Sequence, residues 1–153
     1  MALLRCAGAF AVPVPDGWEV RGIPGRDYLL TPAGAPSGGR RGELRLAVFP
    51  REPGPLAERE GADRLLELLR ELAVDAGDEA ISFRARYRRD LHRAFAWFSA
   101  HDELGHDLDC LAAVVVVPSA VIACTALASP RRRDILETSE MVVSSITADR
   151  PRH

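Results

Sequence analysis

The ten residues at positions 101–110, HDELGHDLDC, bring together side chains that could do chemistry. They include two histidines, four acidic residues and one cysteine. Imidazole, carboxylate and thiolate groups all bind Zn²⁺, and a cysteine next to a histidine is a pair that nucleophilic catalysis uses. Three hypotheses follow for His101–Cys110: a metal site, a catalytic cluster, or a polar turn.

The spacing favours the polar turn. A zinc site needs three or four converging ligands, and no cysteine pair or H-E-x-x-H helix accompanies His101 and His106. Leu104-Gly105 suits a two-residue hairpin loop, in which glycine supplies left-handed backbone. Cys110 would then lie on the packed face of a strand as an inert thiol. The predicted cross-strand pairs are Glu103 with His106, His101 with Leu108, Ser99 with Cys110 and Trp97 with Ala112, which leaves Asp102, Asp107 and Asp109 on the other face.

No other catalytic motif is present in the sequence. It contains no G-x-S-x-G elbow and no phosphate loop, since GIPGRD and PSGGRRG lack the strand-turn-helix context that such a loop requires. We therefore predict a protein that is not an enzyme, with no catalytic residue, no metal and no cofactor.

An arginine-rich segment is the strongest charge feature. ISFRARYRR alternates strictly, which predicts a strand with Ile81, Phe83, Ala85 and Tyr87 inward and its arginines outward. The functional interpretation is a surface for an anionic partner, either an acidic protein segment or phosphate. The alternative is a solvated strand face whose charge prevents edge aggregation. The candidate partner-binding residues are Arg84, Arg86, Arg88, Arg89 and Arg93.

Length and composition limit the class of protein. The 153 residues, 47% of them hydrophobic, allow one domain over 1–153, and the net charge of −2 argues against nucleic-acid binding. All 20 basic residues are arginine, and lysine, asparagine and glutamine are absent, which indicates a GC-rich, bacterial genome. No apolar run is long enough to span a membrane.

Three cysteines without a C-x-x-C pair indicate a reducing compartment, and we expect a cytoplasmic protein. A turn at Pro118-Ser119 would place Cys124 opposite Ala113. Cys110 and Cys124 would then lie on opposite faces of the sheet, and no disulfide is expected between them.

The periodicity predicts an α+β fold. Short strands are expected in GAFAVPVPDGWEVRG, DYLLTPA and ELRLAVFP, followed by a helix from about 56 to 76 that ends near Gly77. Strands follow in ISFRARYRR, HRAFAWFSAH, 108–117 and 120–128. A final helix begins at Ser129-Pro130, and residues 147–153 are expected to be a frayed tail. The order βββαββββα indicates an antiparallel β-sheet flanked by two main helices, an α/β/α sandwich. The apolar stripe of the final helix comprises Ile135, Leu136, Ser139, Val142, Val143 and Ile146.

Three segments carry a family resemblance. FAVPVPDGWEV near the start, AFAWFSAHDE before two apolar strands, and the closing ILETSEMVVSSI resemble the Mog1/PsbP-like superfamily, in particular bacterial DcrB-related domains. The resemblance covers most of the chain and brings no catalytic residue with it. It implies a noncatalytic binding module, because relatives bind a GTPase, photosystem subunits or, as dimeric chaperones in type VI secretion, hydrophobic segments of secreted effectors.

We therefore predict a protein-binding module, an adaptor or chaperone for a secretion-linked partner of the type VI effector kind, with a homodimer as one option. The binding surface would be a sheet face or the arginine segment. A structural subunit of a larger assembly is the first alternative. A ligand- or metal-binding domain that uses the His101–Cys110 hairpin is the second.

Overall fold

The structure, a computed structural model, describes residues 2–6, 9–23, 26–33, 42–74 and 81–148. Two α-helices, α1 (Glu60–Glu71) and α2 (Arg133–Ser144), accompany the strands, and a 3₁₀ turn at Pro130–Arg132 precedes α2. No helix in the described ranges has the length and apolarity needed to cross a membrane. The strands are β1 (Ala2–Cys6), β2 (Phe10–Val14), β3 (Trp18–Ile23), β4 (Asp27–Pro32), β5 (Glu43–Pro50), β6 (Ser82–Tyr87), β7 (His92–His101), β8 (Asp107–Val117), β9 (Ala120–Ala128) and β10 (Thr147–Ala148).

The strands form two antiparallel sheets. The large sheet has seven strands in the order β3-β4-β5-β9-β8-β7-β6, and the small sheet has three in the order β1-β2-β10. Neighbouring strands from β6 to β9 are joined by short turns, which is why they pair as a meander. The predicted α+β sandwich, with an antiparallel sheet between two main helices, is confirmed.

Each face of the large sheet has its own core. On one face, α2 and the small sheet bury Phe10, Leu46, Ile122 and Val143 together. On the opposite face, α1 packs on β7 and β8 through Leu65 and Leu69. Strand β8 therefore packs on both faces, which explains its nearly continuous run of apolar residues.

The first turn of α1 is anchored by an ion pair. Arg51 binds Glu60 with both branches of its guanidinium, with Nε–Oε2 at 2.6 Å and Nη2–Oε1 at 2.7 Å. Arg51 Nη1 also donates to the carbonyl oxygens of Gly54 at 3.0 Å and Pro118 at 2.9 Å. Arg51 thus links the proline-rich connection before α1 to the turn between β8 and β9. The bound guanidinium lowers the pKa of the Glu60 carboxyl from its ordinary value.

A buried histidine provides the second anchor. The backbone N–H of Gly61 donates to Nδ1 of His92 at 3.2 Å. The helix can approach this closely only because residue 61 is glycine, since a Cβ there would lie 2.7 Å from the Cβ of His92. Burial lowers the pKa of His92 from its ordinary value, because the charged imidazolium would lose its hydration.

The ends of the chain differ from the prediction. The single strand expected in GAFAVPVPDGWEVRG is two strands, β2 and β3, that belong to different sheets, and β1 was not predicted. Thr147 and Ala148, placed in a frayed tail by the sequence, pair with Ala11 and Phe10. Residues 149–153 lie outside the described residues.

The two helices are shorter than predicted. Helix α1 spans 60–71 rather than 56–76, and the expected stop at Gly77 lies outside the described residues. Ser129 precedes the 3₁₀ turn without a side-chain capping bond, and α2 begins only at Arg133. The predicted stripe of α2 faces the core, where Ile135, Ser139, Val142, Val143 and Ile146 are buried.

Candidate functional site

The His101–Cys110 segment forms a hairpin tip at the end of β7 and β8. His101 Nε2 lies 3.0 Å from Asp107 Oδ1, and His106 Nδ1 lies 3.0 Å from Asp102 Oδ2, with both imidazoles mostly exposed. Each histidine thus has its own carboxylate on the surface of a turn. Within the described ranges, no three His, Cys, Asp or Glu side chains are grouped as ligands of one metal ion would be.

The predicted register of this hairpin was wrong by one residue. His101 pairs with Asp107, Ser99 with Asp109 and Trp97 with Leu111. The loop has three residues instead of two, because Asp102 and His106 close it, with the Asp102 N–H donating to the His106 carbonyl at 3.0 Å. Gly105 takes the left-handed conformation, with φ of 81°, that a three-residue hairpin loop requires. The Asp102 carboxylate reinforces this loop, since its Oδ1 accepts the N–H groups of Leu104 at 2.9 Å and His106 at 2.8 Å.

The corrected register changes which residues of β8 share a face with which residues of β7. Cys110 lies opposite Phe98 and shares the α1 face with Ala112, while Asp107 and Asp109 share the other face with Trp97. Burial raises the pKa of the Cys110 thiol to about 11, and the Asp109 carboxylate adds to the rise. A thiol with this pKa stays protonated at neutral pH and is a poor nucleophile.

The predicted register of β8 and β9 is confirmed. Cys124 pairs with Ala113, and Cys110 pairs with Leu127. Cys110 and Cys124 therefore lie on opposite faces of the sheet. Both thiols are buried and free.

The arginine segment forms β6, at the edge of the large sheet. The predicted inward and outward faces were wrong, because every side chain of β6 is exposed, including Phe83 at 48% and Tyr87 at 45%. Arg84 shares the α2 face with Phe95 and Trp97, and its guanidinium lies 5.2 Å from the centroid of each ring. It also binds Glu140 of α2, with Nη2–Oε1 at 2.8 Å.

The other arginines lie around the hairpin between β6 and β7. Arg86 pairs directly with Arg93 across the two strands. Arg93 donates from Nη2 to the carbonyl oxygen of Ile146, and its buried Nε has no hydrogen-bond partner among the described residues. Burial lowers the pKa of Arg93, and the positive charge of Arg88 lowers it further. Arg89 lies in the turn of this hairpin, so the structure places Arg86, Arg88, Arg89 and Arg93 at or near the end of the hairpin, whereas Arg84 lies further along β6 beside α2.

A cleft that the sequence did not predict lies between the C-terminal end of α1 and strands β5 and β9. Its volume is about 630 Å³, and it continues into a smaller cleft of about 200 Å³ along α1. Phe49, Leu68 and Ala123 line both, so the two clefts form one groove, which we call the α1 groove. Other residues that line it include Ala47, Leu72, Val74, Phe98, Cys110, Thr125 and Leu127, with Glu43, Arg45 and Glu71 as charged neighbours.

The groove exists because the α1 face of the sheet is only partly covered. Among the residues that the structure describes, helix α1 packs on β7 and β8 and leaves the same face of β5 and β9 open. Small residues form its floor, since Ala47 of β5 pairs with Ala123 of β9. Phe49 is 51% exposed and Leu72 is 43% exposed. Phe49 and Leu72 both line the groove, so their exposed apolar surfaces belong to one concave site.

The end of α1 beside the groove has an unusual backbone. Ala73 has φ of 57° and is the one non-glycine residue with positive φ among those described. The N–H of Val74 donates to Leu69 at 2.9 Å, and that of Ala73 donates to Arg70 at 3.0 Å, as in a Schellman cap. Glycine usually occupies this position. A local clue to the groove was present in the sequence, because the stripe of α1 continues to Leu72 beyond the last residue that the sheet buries.

Comparisons with known proteins report on the fold. No protein-family model matches the chain, and no curated protein matches it by sequence. A crystal structure of a protein from Bacteroides thetaiotaomicron VPI-5482 is similar over 91% of this chain, with a TM-score of 0.55 and 15% identity. This chain covers only 44% of that protein.

A second solved structure is the cyanobacterial PsbP protein (CyanoP) from Synechocystis sp. PCC 6803. The similarity covers 91% of this chain and 86% of CyanoP, with a TM-score of 0.54 and 14% identity. Identity at this level reports on architecture and leaves function open. The chain therefore has a PsbP/Mog1-like fold, as the resemblance of its sequence to that superfamily had implied.

Proposed function

We propose that the protein is a noncatalytic protein-binding module whose α1 groove holds an apolar segment of a partner protein. The observation that carries the proposal is the partly covered sheet face, where Phe49 and Leu72 are exposed above a floor of small residues. Covering each of these half-exposed side chains would stabilise a complex by roughly 1 kcal/mol. Glu43, Arg45 and Glu71 beside the groove would remain hydrated around the bound segment.

The shape of the groove supports a chain segment as the occupant. The larger cleft continues along α1 into the smaller one past Leu68 and Glu71, which gives an elongated surface. An amphipathic segment that lies along a groove with its apolar side down is a recurrent mode of peptide recognition. In this role the protein would be a cytoplasmic adaptor or chaperone for a secretion-linked partner and would shield the apolar segment until delivery. This protein-interaction role agrees with the absence of a catalytic motif from the sequence.

The test is site-specific photo-crosslinking in the native host. A photoreactive amino acid replaces Phe49, and the matched control places it at Leu104, which is exposed in the hairpin loop and does not line the groove. We expect one defined protein to crosslink at position 49 through an apolar segment of its sequence, and not at position 104. The substitution Leu72→Glu should remove the adduct at position 49, whereas Leu104→Glu should leave it.

Four results would contradict the proposal. Equal adducts at positions 49 and 104 would mean that contact at position 49 is nonspecific. An adduct that persists in the folded Leu72→Glu variant would place the partner elsewhere. A lipid found in the groove by native mass spectrometry, without a protein adduct, would make the occupant a small molecule. A fixed stoichiometric complex that never releases the partner would favour a structural subunit of an assembly instead.

A further inference from the structure

The outer edge of β6 is a second surface, which the α1 groove does not include. β6 is the last strand of the large sheet, and β7 is the one strand that pairs with it in the described part of the chain. All six of its side chains are exposed, so no helix or loop within the described ranges covers it. An uncovered strand edge presents unpaired N–H and C=O groups that can pair with another chain.

The hydrogen-bonding pattern identifies which groups point outward. The N–H of Arg88 donates to the carbonyl of Leu91 at 2.9 Å, which makes these two residues a hydrogen-bonded pair. Bonded and nonbonded pairs alternate along an antiparallel ladder, so Arg84 and Arg86 also point their backbone groups toward β7. The backbone groups of Phe83, Ala85 and Tyr87 therefore point away from the sheet.

The side chains on the two sides of β6 differ in chemistry. Phe83, Ala85 and Tyr87 lie on the α1 face, while Arg84 and Arg86 lie on the α2 face with Phe95 and Arg93. Glu140 neutralises Arg84. Arg86 and Arg93 face each other, and Arg88 lies close enough to Arg93 for its positive charge to lower the pKa of Arg93. Arg86, Arg88 and Arg93 therefore give this end of β6 and β7 an excess of positive charge.

We propose that the outer edge of β6 binds an extended strand of a partner protein in which acidic residues alternate with apolar residues. Main-chain hydrogen bonds to Phe83, Ala85 and Tyr87 hold the incoming strand. Its acidic side chains lie beside Arg86 and Arg88, and its apolar side chains lie beside Phe83 and Tyr87. This is strand addition to a sheet edge, in which the backbone provides affinity and the side chains provide specificity.

Charge disfavours a second copy of this chain as the occupant. In an antiparallel pair of β6 strands, the outward-facing residues 83, 85 and 87 must bond to one another. The even-numbered residues are then opposite one another as well, and in both registers that pair five residues of each β6 strand, Arg84 faces Arg84 or Arg86 of the other copy. Like charges directly opposite across a strand pair are destabilising, whereas opposite charges stabilise it.

The probe for this test is a fluorescein-labelled peptide of about ten residues, a usual strand length, with glutamate alternating with valine. We expect saturable binding by fluorescence anisotropy that weakens steeply with salt. Hydrogen exchange should show new protection at the amides of Phe83, Ala85 and Tyr87, while those of Arg84 and Arg86 are protected without peptide. The double substitution Arg86→Glu and Arg88→Glu should weaken binding by about tenfold or more, because it reverses the local charge.

Two controls isolate the backbone contribution. A peptide of the same sequence with N-methyl groups on the amides of alternate residues should bind at least about tenfold more weakly to the unaltered protein, in one of its two methylation registers. Ala85→Pro removes one outward N–H, leaves the ladder with β7 intact, and should weaken binding in the same way. The Leu72→Glu variant should bind the peptide normally, which separates this surface from the α1 groove.

Several outcomes would overturn the proposal. Equal binding of both N-methylated peptides would show that the backbone edge is not used. Equal binding of a lysine-valine peptide would show that charge does not select the partner. A dimer that Ala85→Pro abolishes would make a second copy the occupant. No binding of the acidic peptide at low salt would mean that the arginines act only to protect the edge.

Discussion

The two helices pack against opposite faces of the large sheet. They differ in how much of the apolar stripe of each helix is buried. In α2, the stripe formed by Ile135, Val142 and Val143 is buried against the sheet and β2. In α1, Leu65 and Leu69 are buried, but Leu72 on the next turn is 43% exposed. The small sheet helps α2 to cover its face, and no equivalent layer accompanies α1 among the described residues.

This difference distinguishes apolar residues that stabilise the fold from apolar residues that are available to bind a partner. Where the stripe is fully buried, as at Val142 and Val143 of α2, a residue contributes to stability alone. In α1 the apolar stripe continues past the buried Leu69 to Leu72. The side chain of Leu72 lines the α1 groove and is partly exposed to water. Two anchors, Arg51 with Glu60 and Gly61 with His92, act on the first turn of α1, whereas the last turn is held by the buried Leu69 and by the Schellman cap.

The largest expected effect is a loss of stability at the buried part of the α1 stripe. Leu69→Ala should lower the free energy of unfolding by about 3 kcal/mol, because it opens a cavity beneath α1. The same change three residues later, Leu72→Ala, should cost less than about 1 kcal/mol, since that side chain already contacts water. Urea unfolding curves measure both values. Equal losses at the two positions would show that Leu72 belongs to the core and that the groove is closed.

A smaller effect is expected on the pH dependence of stability, through the buried His92 that anchors α1. Burial lowers the pKa of His92 in the folded state, so the unfolded chain binds more protons, and stability is full above pH about 6.5 and falls as the pH decreases below it. Protonation would also turn Nδ1 from an acceptor into a donor facing the Gly61 N–H. The Glu60 carboxyl, whose pKa is lowered by Arg51, should affect stability only at lower pH.

Urea unfolding between pH 8 and pH 5.5 measures this dependence. The wild-type protein should lose stability across the interval, and His92→Gln should flatten the curve. His101→Gln removes an exposed histidine instead and is the matched control, which should keep the wild-type slope. An unchanged slope in His92→Gln would mean that His92 is not the group responsible.

The smallest effect concerns the left-handed residue at the end of α1. Ala73→Gly should raise the free energy of unfolding by about 0.5–1 kcal/mol, because glycine adopts positive φ without a Cβ clash. The same substitution inside the helix, Ala62→Gly, should lower it by about 1 kcal/mol. Thermal unfolding of the two variants measures the contrast. A loss of stability in Ala73→Gly would show that the Cβ of Ala73 makes a contact worth more than the strain.

Local patterns predicted much of the fold and little of the candidate sites. The periods of 2 and 3.6 residues placed the helices and most strands, and the turn at Pro118-Ser119 gave the correct register of β8 and β9. The tip at His101–Cys110 was predicted as a polar turn but one residue out of register. Its loop length depends on the Asp102 carboxylate and on the pairing of Asp102 with His106, which the loop sequence alone did not reveal.

The sequence by itself determined the alternation of β6, the stripe of α1 and the positive charge of the arginine segment, because these depend on residues close together in the chain. Only the tertiary structure decided that β6 is an edge, that Arg84 lies over Phe95 and Trp97, and that α1 leaves β5 and β9 open. The physical reason is that coverage and ion pairing depend on which distant segments meet. Arg84 and Glu140 are 56 residues apart, and Gly61 and His92 are 31 apart.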